Sequence, residues 1–309
     1  MKATVYKSTG SWYQVKTEDG QWLQARMKGV FKIDEDITST NPIAVGDVVT
    51  VETEDSTEKA VMITGINDRR NYINRQSPRH KYQQHIVAAN LDQSILIATI
   101  KEPRTSTGFI DRFLVACEMY HVPAIIVFNK RDLYKQKELD KFEEYKNMYE
   151  AVGYKVLCIS VNEQTGMEEI DALLTNKVSL VSGHSGVGKS SFVNSILPGK
   201  NIKTQDVSNW SGKGMHTTTF AEMYDLPNGG KLIDTPGMRE FALLGVEKDE
   251  LSHYFPEMRS RLQDCQFNNC QHINEPKCAI KKAVAAQEIH EDRYLSYLSI
   301  YESIGAANY

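Results

Sequence analysis

The sequence predicts three successive domains: an N-terminal β-barrel at residues 1–70, a central α/β domain at 71–240 and a helical C-terminal domain at 241–309. Short strand-like runs fill the first sixty-odd residues. From Asp92 onward, longer apolar strands alternate with helical segments, which is typical of a mostly parallel α/β sheet. After Gly237 the chain becomes helical and polar and contains a cluster of cysteines and a histidine.

The N-terminal region is expected to form five short strands, at residues 3–6, 12–17, 21–26, 47–52 and 60–66. Five short strands without a long helix suit a small antiparallel barrel, and the OB-fold is the five-stranded barrel that often binds oligonucleotides. A barrel used for protein contact or for packing remains an alternative.

The central region is expected to carry buried strands near residues 94–100, 124–128, 155–159, 178–181, 220–226 and 231–233. Helical spacing of apolar residues predicts helices near 110–117 and 138–152, and a further helix that begins at Lys189. Cys117 and Cys158 stand alone in apolar surroundings and are interpreted as core residues.

Charge and hydropathy exclude several classes of protein. The net charge of -4 argues against a general nucleic-acid binder, so any RNA contact must be local. The N-terminus lacks a secretory signal, no apolar run reaches membrane-spanning length, and no coiled-coil heptads occur. We therefore expect a cytoplasmic, monomeric protein with no membrane partner.

One basic segment follows the barrel and is the best local candidate for RNA contact. It interleaves cations with aromatic rings and contains no acidic residue: Arg69, Arg70, Tyr72, Arg75, Arg79, His80, Lys81 and Tyr82. Such a composition suits phosphate contact and base stacking. A solvated linker is the alternative.

A glycine-rich loop between a predicted strand and a predicted helix matches the G-x-x-x-x-G-K-[ST] phosphate-binding pattern. Its residues are Gly183, His184, Ser185, Gly186, Val187, Gly188, Lys189 and Ser190. Backbone amides of such a loop point at phosphates, and the helix adds its positive dipole end. Lys189 is expected to reach the β- and γ-phosphates, Ser190 to bind Mg²⁺, and Ser191 to lie close to the nucleotide.

A second phosphate-side motif runs from Asp234 to Gly237 at the end of a short predicted strand. The Asp234 carboxylate is placed to hold the water shell of Mg²⁺, and the Gly237 amide to sense the γ-phosphate. By itself an Asp-Thr-Pro-Gly sequence is also compatible with an ordinary turn.

Two loops at the ends of neighbouring predicted strands indicate guanine rather than adenine. The first contains Asn129, Lys130, Arg131 and Asp132, and the second contains Ser160, Val161 and Asn162. The Asp132 carboxylate can accept hydrogen bonds from guanine N1–H and from the exocyclic amine beside it. Adenine cannot offer this pair of donors. We expect Lys130 to cover the base, Asn129 to tie the loop to the phosphate loop, and the second loop to offer an amide to guanine O6.

The C-terminal cluster of Cys265, Cys270, His272 and Cys278 is separated by four, one and five residues. One nitrogen and three sulfur ligands suit a closed tetrahedral Zn²⁺ site, whose role is structural because no coordination position is left open. The spacing is not the commonest zinc-finger pattern, and free thiols are the alternative.

The guanine loops precede the phosphate loop, so the motifs run in circularly permuted order, which is tolerable because domain termini often lie close together. A permuted P-loop GTPase between a small barrel and a Cys/His cluster closely resembles the bacterial ribosome-biogenesis GTPase family RsgA, also called YjeQ or YloQ. The resemblance spans essentially the whole chain. It implies GTP hydrolysis to GDP, binding to the small ribosomal subunit late in maturation, and stimulation by ribosomal RNA.

The segment from Lys213 to Thr219 matches the first switch of that family, in which Thr218 is expected to complete the Mg²⁺ shell. Met238 stands where Ras-like enzymes carry a water-orienting glutamine. His216 is the nearest candidate in sequence to replace it, and the resemblance supports that role.

The motifs predict a GTPase, and the resemblance implies that it depends on RNA and assists assembly of the small ribosomal subunit. Two alternatives remain. One is a nucleotide-gated binding module for a protein partner, with incidental hydrolysis. The other is an ATP-dependent kinase, which Asp132 disfavours.

Overall fold

The computed structural model describes residues 1–27, 42–53, 60–76, 84–197, 199, 221–235, 243 and 245–305. Its N-terminal part is a closed five-stranded barrel. The strands are β1 (Lys2–Ser8), β2 (Tyr13–Thr17), β3 (Trp22–Met27), β4 (Val48–Thr53) and β5 (Ala60–Ile66). They pair in the order β1-β2-β3-β5-β4, and β4 also pairs with β1, which closes the barrel. The predicted OB-like barrel is confirmed, and among its described strands β3 and β5 form the one parallel ladder.

The barrel has its own core because alternate residues of each strand point inward. Val5, Val15, Val49 and Ile63 are fully buried there. The outward positions of β2 and β3 carry polar and charged residues together with the exposed ring of Trp22. The hydrophobic alternation therefore fixes which face of each strand meets solvent.

The basic segment after the barrel begins a two-stranded antiparallel ribbon, formed by β6 (Tyr72–Gln76) and β7 (Gln84–Ala89). The linker interpretation is therefore wrong for the first part of this segment. Arg69 makes an ion pair at 2.7 Å with the buried carboxylate of Asp47, and Arg70 makes one with Asp92. These two arginines bind protein carboxylates, while residues 77–83 lie outside the described part of the chain.

The described residues of the central domain form six strands and four helices. They are β8 (Gln93–Ala98), α1 (Thr107–Met119), β9 (Ala124–Phe128), α2 (Gln136–Glu150), β10 (Lys155–Cys158), α3 (Met167–Leu174), β11 (Val178–Ser182), α4 (Lys189–Ile196), β12 (Glu222–Asp225) and β13 (Lys231–Asp234). Strands β10-β9-β8-β11-β13 are parallel in that order, and β12 lies antiparallel to β13. Apolar clusters cover both faces of the sheet, as a parallel sheet requires.

The barrel and the central sheet are joined through β12, which pairs antiparallel with β1 at Lys7 and Glu222. Lys7 also makes an ion pair with Glu222 at 3.0 Å. Asp225 accepts hydrogen bonds at 2.6 Å from the Tyr6 hydroxyl and from Lys16. Although burial opposes it, these bonds lower the pKa of Asp225. The barrel is thus attached to the hairpin that ends at Asp234.

The C-terminal part consists of short helical segments: two 3-10 turns at Leu251–Tyr254 and Leu262–Asp264, and helices α5 (Pro256–Arg259), α6 (Ala279–Ala285) and α7 (Glu291–Ser303). Arg293 of α7 is fully buried and binds Asp111 of α1 at 2.6 Å and Glu257 of α5 at 2.7 Å. Although burial opposes it, these two carboxylates raise the pKa of Arg293. This charge network fixes the C-terminal domain on α1.

Cys117 is buried and Cys158 half-buried, in agreement with their interpretation as core residues.

In the described part of the chain, no helix combines the length and apolar character needed to cross a lipid bilayer.

Candidate nucleotide site and metal centre

The predicted nucleotide motifs lie at one edge of the parallel sheet. Residues 129–132 follow β9, 160–162 follow β10, 183–190 follow β11, and Asp234 ends β13. Because β10, β9, β8, β11 and β13 are parallel neighbours in that order, their carboxyl ends face the same side. This edge is the usual location of ligand sites in open α/β sheets.

The Asn129 side chain connects the three loops. Its amide group donates to the Val187 carbonyl at 3.0 Å, and its carbonyl oxygen accepts from the Val161 amide at 3.2 Å. Asn129 is 3% exposed, so both ends of the side chain need partners. The contact that the sequence led us to expect between the first guanine loop and the phosphate loop is present, and the second guanine loop shares it.

Asp132 lies beside the second guanine loop. The Ser160 hydroxyl donates to one carboxylate oxygen at 2.6 Å, and the Asn162 amide group approaches the other at 3.4 Å. The Arg131 amide donates to the Ile159 carbonyl at 3.0 Å. These bonds hold the half-buried carboxylate in one orientation.

Gly188 permits the close approach of Asn129 to the phosphate loop. The backbone there is left-handed, with φ near +91°, and a Cβ atom would lie 2.4 Å from Asn129 Nδ2. At Gly183 a Cβ atom would lie 2.7 Å from the Ile97 carbonyl oxygen of β8. Larger residues at these two positions would therefore displace the loop from the strand ends.

Lys189, at the start of α4, makes an ion pair with Asp234 at the end of β13. Both side chains are largely buried, and each charge compensates the other. The neighbouring Thr235 hydroxyl approaches the Val181 carbonyl of β11 at 3.5 Å. The structure thus brings together the two phosphate-side residues that the sequence predicted, 45 positions apart.

The loop after β8, residues 99–106, was missed at the sequence level. Thr105 Oγ1 lies 2.7 Å from His184 Nε2 in the phosphate loop, and the Lys130 ammonium donates to the Glu102 carbonyl. The His184 ring also packs edge-on against Phe109 of α1. The sequence did contain an indication that this loop belongs to the site, because the loop also follows the carboxyl end of a predicted parallel strand.

Several predicted site residues lie outside the described part of the chain. These are His216 and Thr218 in the 201–220 segment, and Gly237 in the 236–242 segment. Ser190 and Ser191 are half-buried in the first turn of α4, beside Lys189. Their roles toward nucleotide and magnesium stay predictions.

The four predicted metal ligands come together in the C-terminal domain. The ligand atoms of Cys265, Cys270, His272 and Cys278 all lie within 4.8 Å of one another. His272 Nδ1 is 3.4 Å from the Cys278 sulfur and 3.7 Å from the Cys265 sulfur. A tetrahedral ion with metal–sulfur bonds of about 2.3 Å and a metal–nitrogen bond of about 2.1 Å would separate the nitrogen from each sulfur by about 3.6 Å. The cluster therefore fits a metal ion.

Helix α7 packs beside the metal loop, which we define as residues 265–278, and contacts it through two tyrosine hydroxyls. The Tyr294 hydroxyl donates to the His272 carbonyl at 2.7 Å, and the Tyr297 hydroxyl donates to the Gln271 carbonyl at 2.8 Å. Burial lowers the pKa of His272, which favours the neutral imidazole that a metal ion binds. His253 and His290, which lie outside the cluster, are exposed.

Comparison with known families agrees with this architecture. The RsgA GTPase family matches residues 66–244, and the RsgA N-terminal domain matches residues 2–61. The chain belongs to the RsgA GTPase family. A curated RsgA relative from Cytophaga hutchinsonii, named small ribosomal subunit biogenesis GTPase RsgA, is 51% identical over 97% of both chains. The protein of that name from Flavobacterium psychrophilum is 48% identical over 98% of this chain and 93% of its own.

Two solved structures share the fold of this RsgA family member over nearly its full length. YjeQ from Thermotoga maritima superposes with a TM-score of 0.79 at 33% identity, covering 98% of each chain. YloQ, described as a circularly permuted GTPase, superposes with a TM-score of 0.75 at 30% identity, covering 98% of this chain and 94% of its own. The similarity therefore includes all three domains.

We expect Gly188→Ala to destabilise the nucleotide edge. A β-carbon there is strained by the left-handed backbone, at a cost of roughly 1–2 kcal/mol, and it also displaces the Asn129 amide group. Gly153→Ala is the matched control, since its φ is +96° but no atom lies within 4 Å of an added Cβ. Urea unfolding of both variants should show the larger loss for Gly188→Ala. Equal losses would mean that the Asn129 contact contributes nothing to stability.

Proposed function

We propose that this protein is a GTPase that binds the small ribosomal subunit, assists its late maturation, and hydrolyses GTP to GDP and phosphate with stimulation by ribosomal RNA. The observation that carries the proposal is the Asn129 side chain, which joins the guanine loops to the phosphate loop at one sheet edge. The names of the relatives, small ribosomal subunit biogenesis GTPase, support the choice of partner.

The base end of the proposed site is formed by residues 129–132 and 160–162. Asp132 accepts hydrogen bonds from guanine, and its contact with Ser160 supports this role by orienting the carboxylate beforehand. The Lys130 stem covers one face of the base. The backbone of Ser160, Val161 and Asn162 offers an amide to guanine O6.

The phosphate end is formed by residues 183–191. Amides of the loop from Gly183 to Gly188, the Lys189 ammonium and the positive end of α4 bind the phosphates. Ser190, Thr218 and Asp234 hold magnesium, which neutralises phosphate charge when bound. Two opposite charges, on Lys189 and Asp234, already lie together where that ion and the phosphates would bind.

For hydrolysis, His216 orients the attacking water and Gly237 senses the γ-phosphate. Met238 has neither a useful donor nor a useful acceptor, which is why another residue must take the position of the usual glutamine. Stimulation by RNA follows if contact with the subunit positions His216 beside the attacking water.

We further propose that Cys265, Cys270, His272 and Cys278 hold one structural Zn²⁺ ion. Three sulfurs and one imidazole around a single centre support zinc rather than magnesium or calcium, which prefer oxygen ligands. The barrel and the C-terminal domain dock on the small ribosomal subunit. The expected cytoplasmic location and monomeric state belong to the same proposal.

Asp132→Asn should transfer preference from guanine to xanthine nucleotides, because the amide replaces a charged acceptor with a group that can donate to the xanthine oxygen. Loss of a charged hydrogen bond of roughly 1.5–3 kcal/mol corresponds to a weakening of GTP binding by about 10- to 150-fold. Competition binding with GTP and XTP measures the change. Asp140→Asn, on the exposed side of α2, is the matched control. Unchanged GTP affinity would refute the assignment of the base loop.

Purified small ribosomal subunits should stimulate GTP turnover at least about 10-fold, because the proposed active state requires RNA. In His216→Ala the stimulated rate should fall on the order of 100-fold, as expected for loss of a proton-transferring or water-orienting group. His253→Ala removes an exposed histidine away from the nucleotide edge and should retain stimulation. Absence of stimulation in the unmodified protein would favour a nucleotide-gated module for a protein partner. Full stimulation of His216→Ala would exclude that histidine.

Metal analysis should find one zinc per chain, and a strong chelator should unfold the C-terminal domain. Structural zinc contributes on the order of 10–16 kcal/mol in zinc-finger peptides. Tyrosine near-ultraviolet dichroism reports the loss, because Tyr294 and Tyr297 contact the metal loop. Cys270→Ala should abolish zinc retention, whereas Cys158→Ala, outside the cluster, should keep it. A zinc-free protein with unchanged dichroism would contradict the site.

A further inference from the structure

The phosphate loop needs support from outside, because three of residues 183–188 are glycines, which restrict the backbone least. One support is the Asn129 side chain, which donates to the Val187 carbonyl. A second support comes from the loop itself. The side chain of His184 leaves the phosphate loop and meets the loop after β8, residues 99–106.

Both ring nitrogens of His184 have a partner in the protein. Nδ1 lies 3.1 Å from the Ser185 carbonyl oxygen, and Nε2 lies 2.7 Å from the Thr105 hydroxyl oxygen. The ring also packs edge-on against Phe109 in the first turn of α1, with the ring centroids 5.4 Å apart. These three contacts together hold the ring in one orientation.

The partners also determine which ring nitrogen carries the proton. A carbonyl oxygen can only accept a hydrogen bond, so Nδ1 of His184 must carry a proton and donate it to Ser185. In the neutral imidazole Nε2 is then an acceptor, and the Thr105 hydroxyl donates to it. That hydroxyl is free to donate in this direction, because its oxygen already accepts from the Thr99 amide at 2.9 Å. The bonds form one directed chain from Thr99 to Ser185.

The far end of this chain is firmly built. Thr99 and Thr105 are both buried, and the Thr105 amide donates to the Thr99 carbonyl at 2.8 Å. The next residue, Ser106, caps α1 by accepting from the Phe109 amide at 3.2 Å. The end of β8 and the start of α1 therefore fix the position of the hydroxyl that His184 binds.

The carbonyl held by His184 belongs to the same peptide unit as the Gly186 amide. In a planar trans peptide the C=O and N–H groups point in opposite directions. Donation from Nδ1 to the Ser185 carbonyl therefore turns the Gly186 N–H away from the histidine ring. Amides of such loops bind the phosphates next to the scissile bond, so the direction of this N–H matters at the phosphate end of the site.

We propose that His184 is a positioning residue for the phosphates. Hydrogen-bonded to Thr105, its ring orients the Ser185–Gly186 peptide so that the Gly186 amide donates to the β-phosphate of a guanine nucleotide. The ring itself contacts no phosphate. This assignment deepens the proposed function and rests on it.

The first test is GDP binding by the full-length protein. His184→Leu keeps bulk beside Phe109 but removes both hydrogen bonds of the ring, and it should weaken GDP binding on the order of 10-fold. His184→Gln is the matched control, because its amide has one acceptor for Thr105 and one donor for Ser185. It should bind GDP within about 3-fold of the unmodified protein, since these bonds are retained.

The second measurement separates positioning of the β-phosphate from general stability. GMP has no β-phosphate, so His184→Leu should bind GMP within about 2-fold of the unmodified protein. Competition against labelled GDP gives both affinities, and circular dichroism checks that each variant is folded. At the hydroxyl end, Thr105→Val should reproduce the selective loss of GDP, whereas Thr105→Ser, which retains a hydroxyl group, should not.

The third measurement observes the ring directly and without nucleotide. Proton–nitrogen correlation NMR at mildly alkaline pH should show a protonated Nδ1 and an unprotonated Nε2 for His184, the reverse of the form that prevails in free histidine. His184→Gln identifies the ring signals by their loss.

The proposal is overturned if His184→Leu loses GMP and GDP affinity equally, if it binds GDP as tightly as His184→Gln, or if the ring proton is on Nε2. Failure of the proposed function is a different result, namely no binding of guanine nucleotides by the unmodified protein. The ring tautomer distinguishes the two failures, because it is measured before any nucleotide is added.

Discussion

The nucleotide edge depends on one buried side-chain amide, that of Asn129. Its two hydrogen bonds reach the phosphate loop and the second guanine loop, and burial leaves no water to replace either bond. Gly188 leaves room for this approach, and the Thr105–His184 contact supports the phosphate loop from its other side. The spacing between the first guanine loop and the phosphate loop is therefore set by packing within the protein.

Circular permutation leaves this arrangement intact because the site is defined by the order of strands in the sheet, not by their order along the chain. What permutation changes is the connection to neighbouring domains. Strand β12 lies between the parallel strand β13, which ends at Asp234, and the barrel, and it is bonded to the barrel through Lys7 and Tyr6. A force on the barrel would thus be transmitted to the strand that carries the proposed magnesium ligand.

The C-terminal domain is positioned by α7, which makes two kinds of contact. On one side Arg293 binds carboxylates of α1 and α5 in a largely buried network, where removal of one partner would leave uncompensated charge. On the other side Tyr294 and Tyr297 bind carbonyls of the metal loop. The metal centre therefore has a fixed position relative to the central sheet.

By itself the sequence predicted the three-part architecture and located the phosphate-loop and guanine-loop motifs, their permuted order and the Cys/His cluster, because each depends on local spacing or on a position at a strand end. The tertiary structure alone decided that Arg69 binds Asp47, that β1 pairs with β12, and that Thr105 contacts His184. These contacts join residues far apart in the chain and leave no periodic or compositional signal. They form only when folding brings the strand ends and the barrel together. Polar groups that become buried there then need a hydrogen-bond or ion-pair partner within the protein.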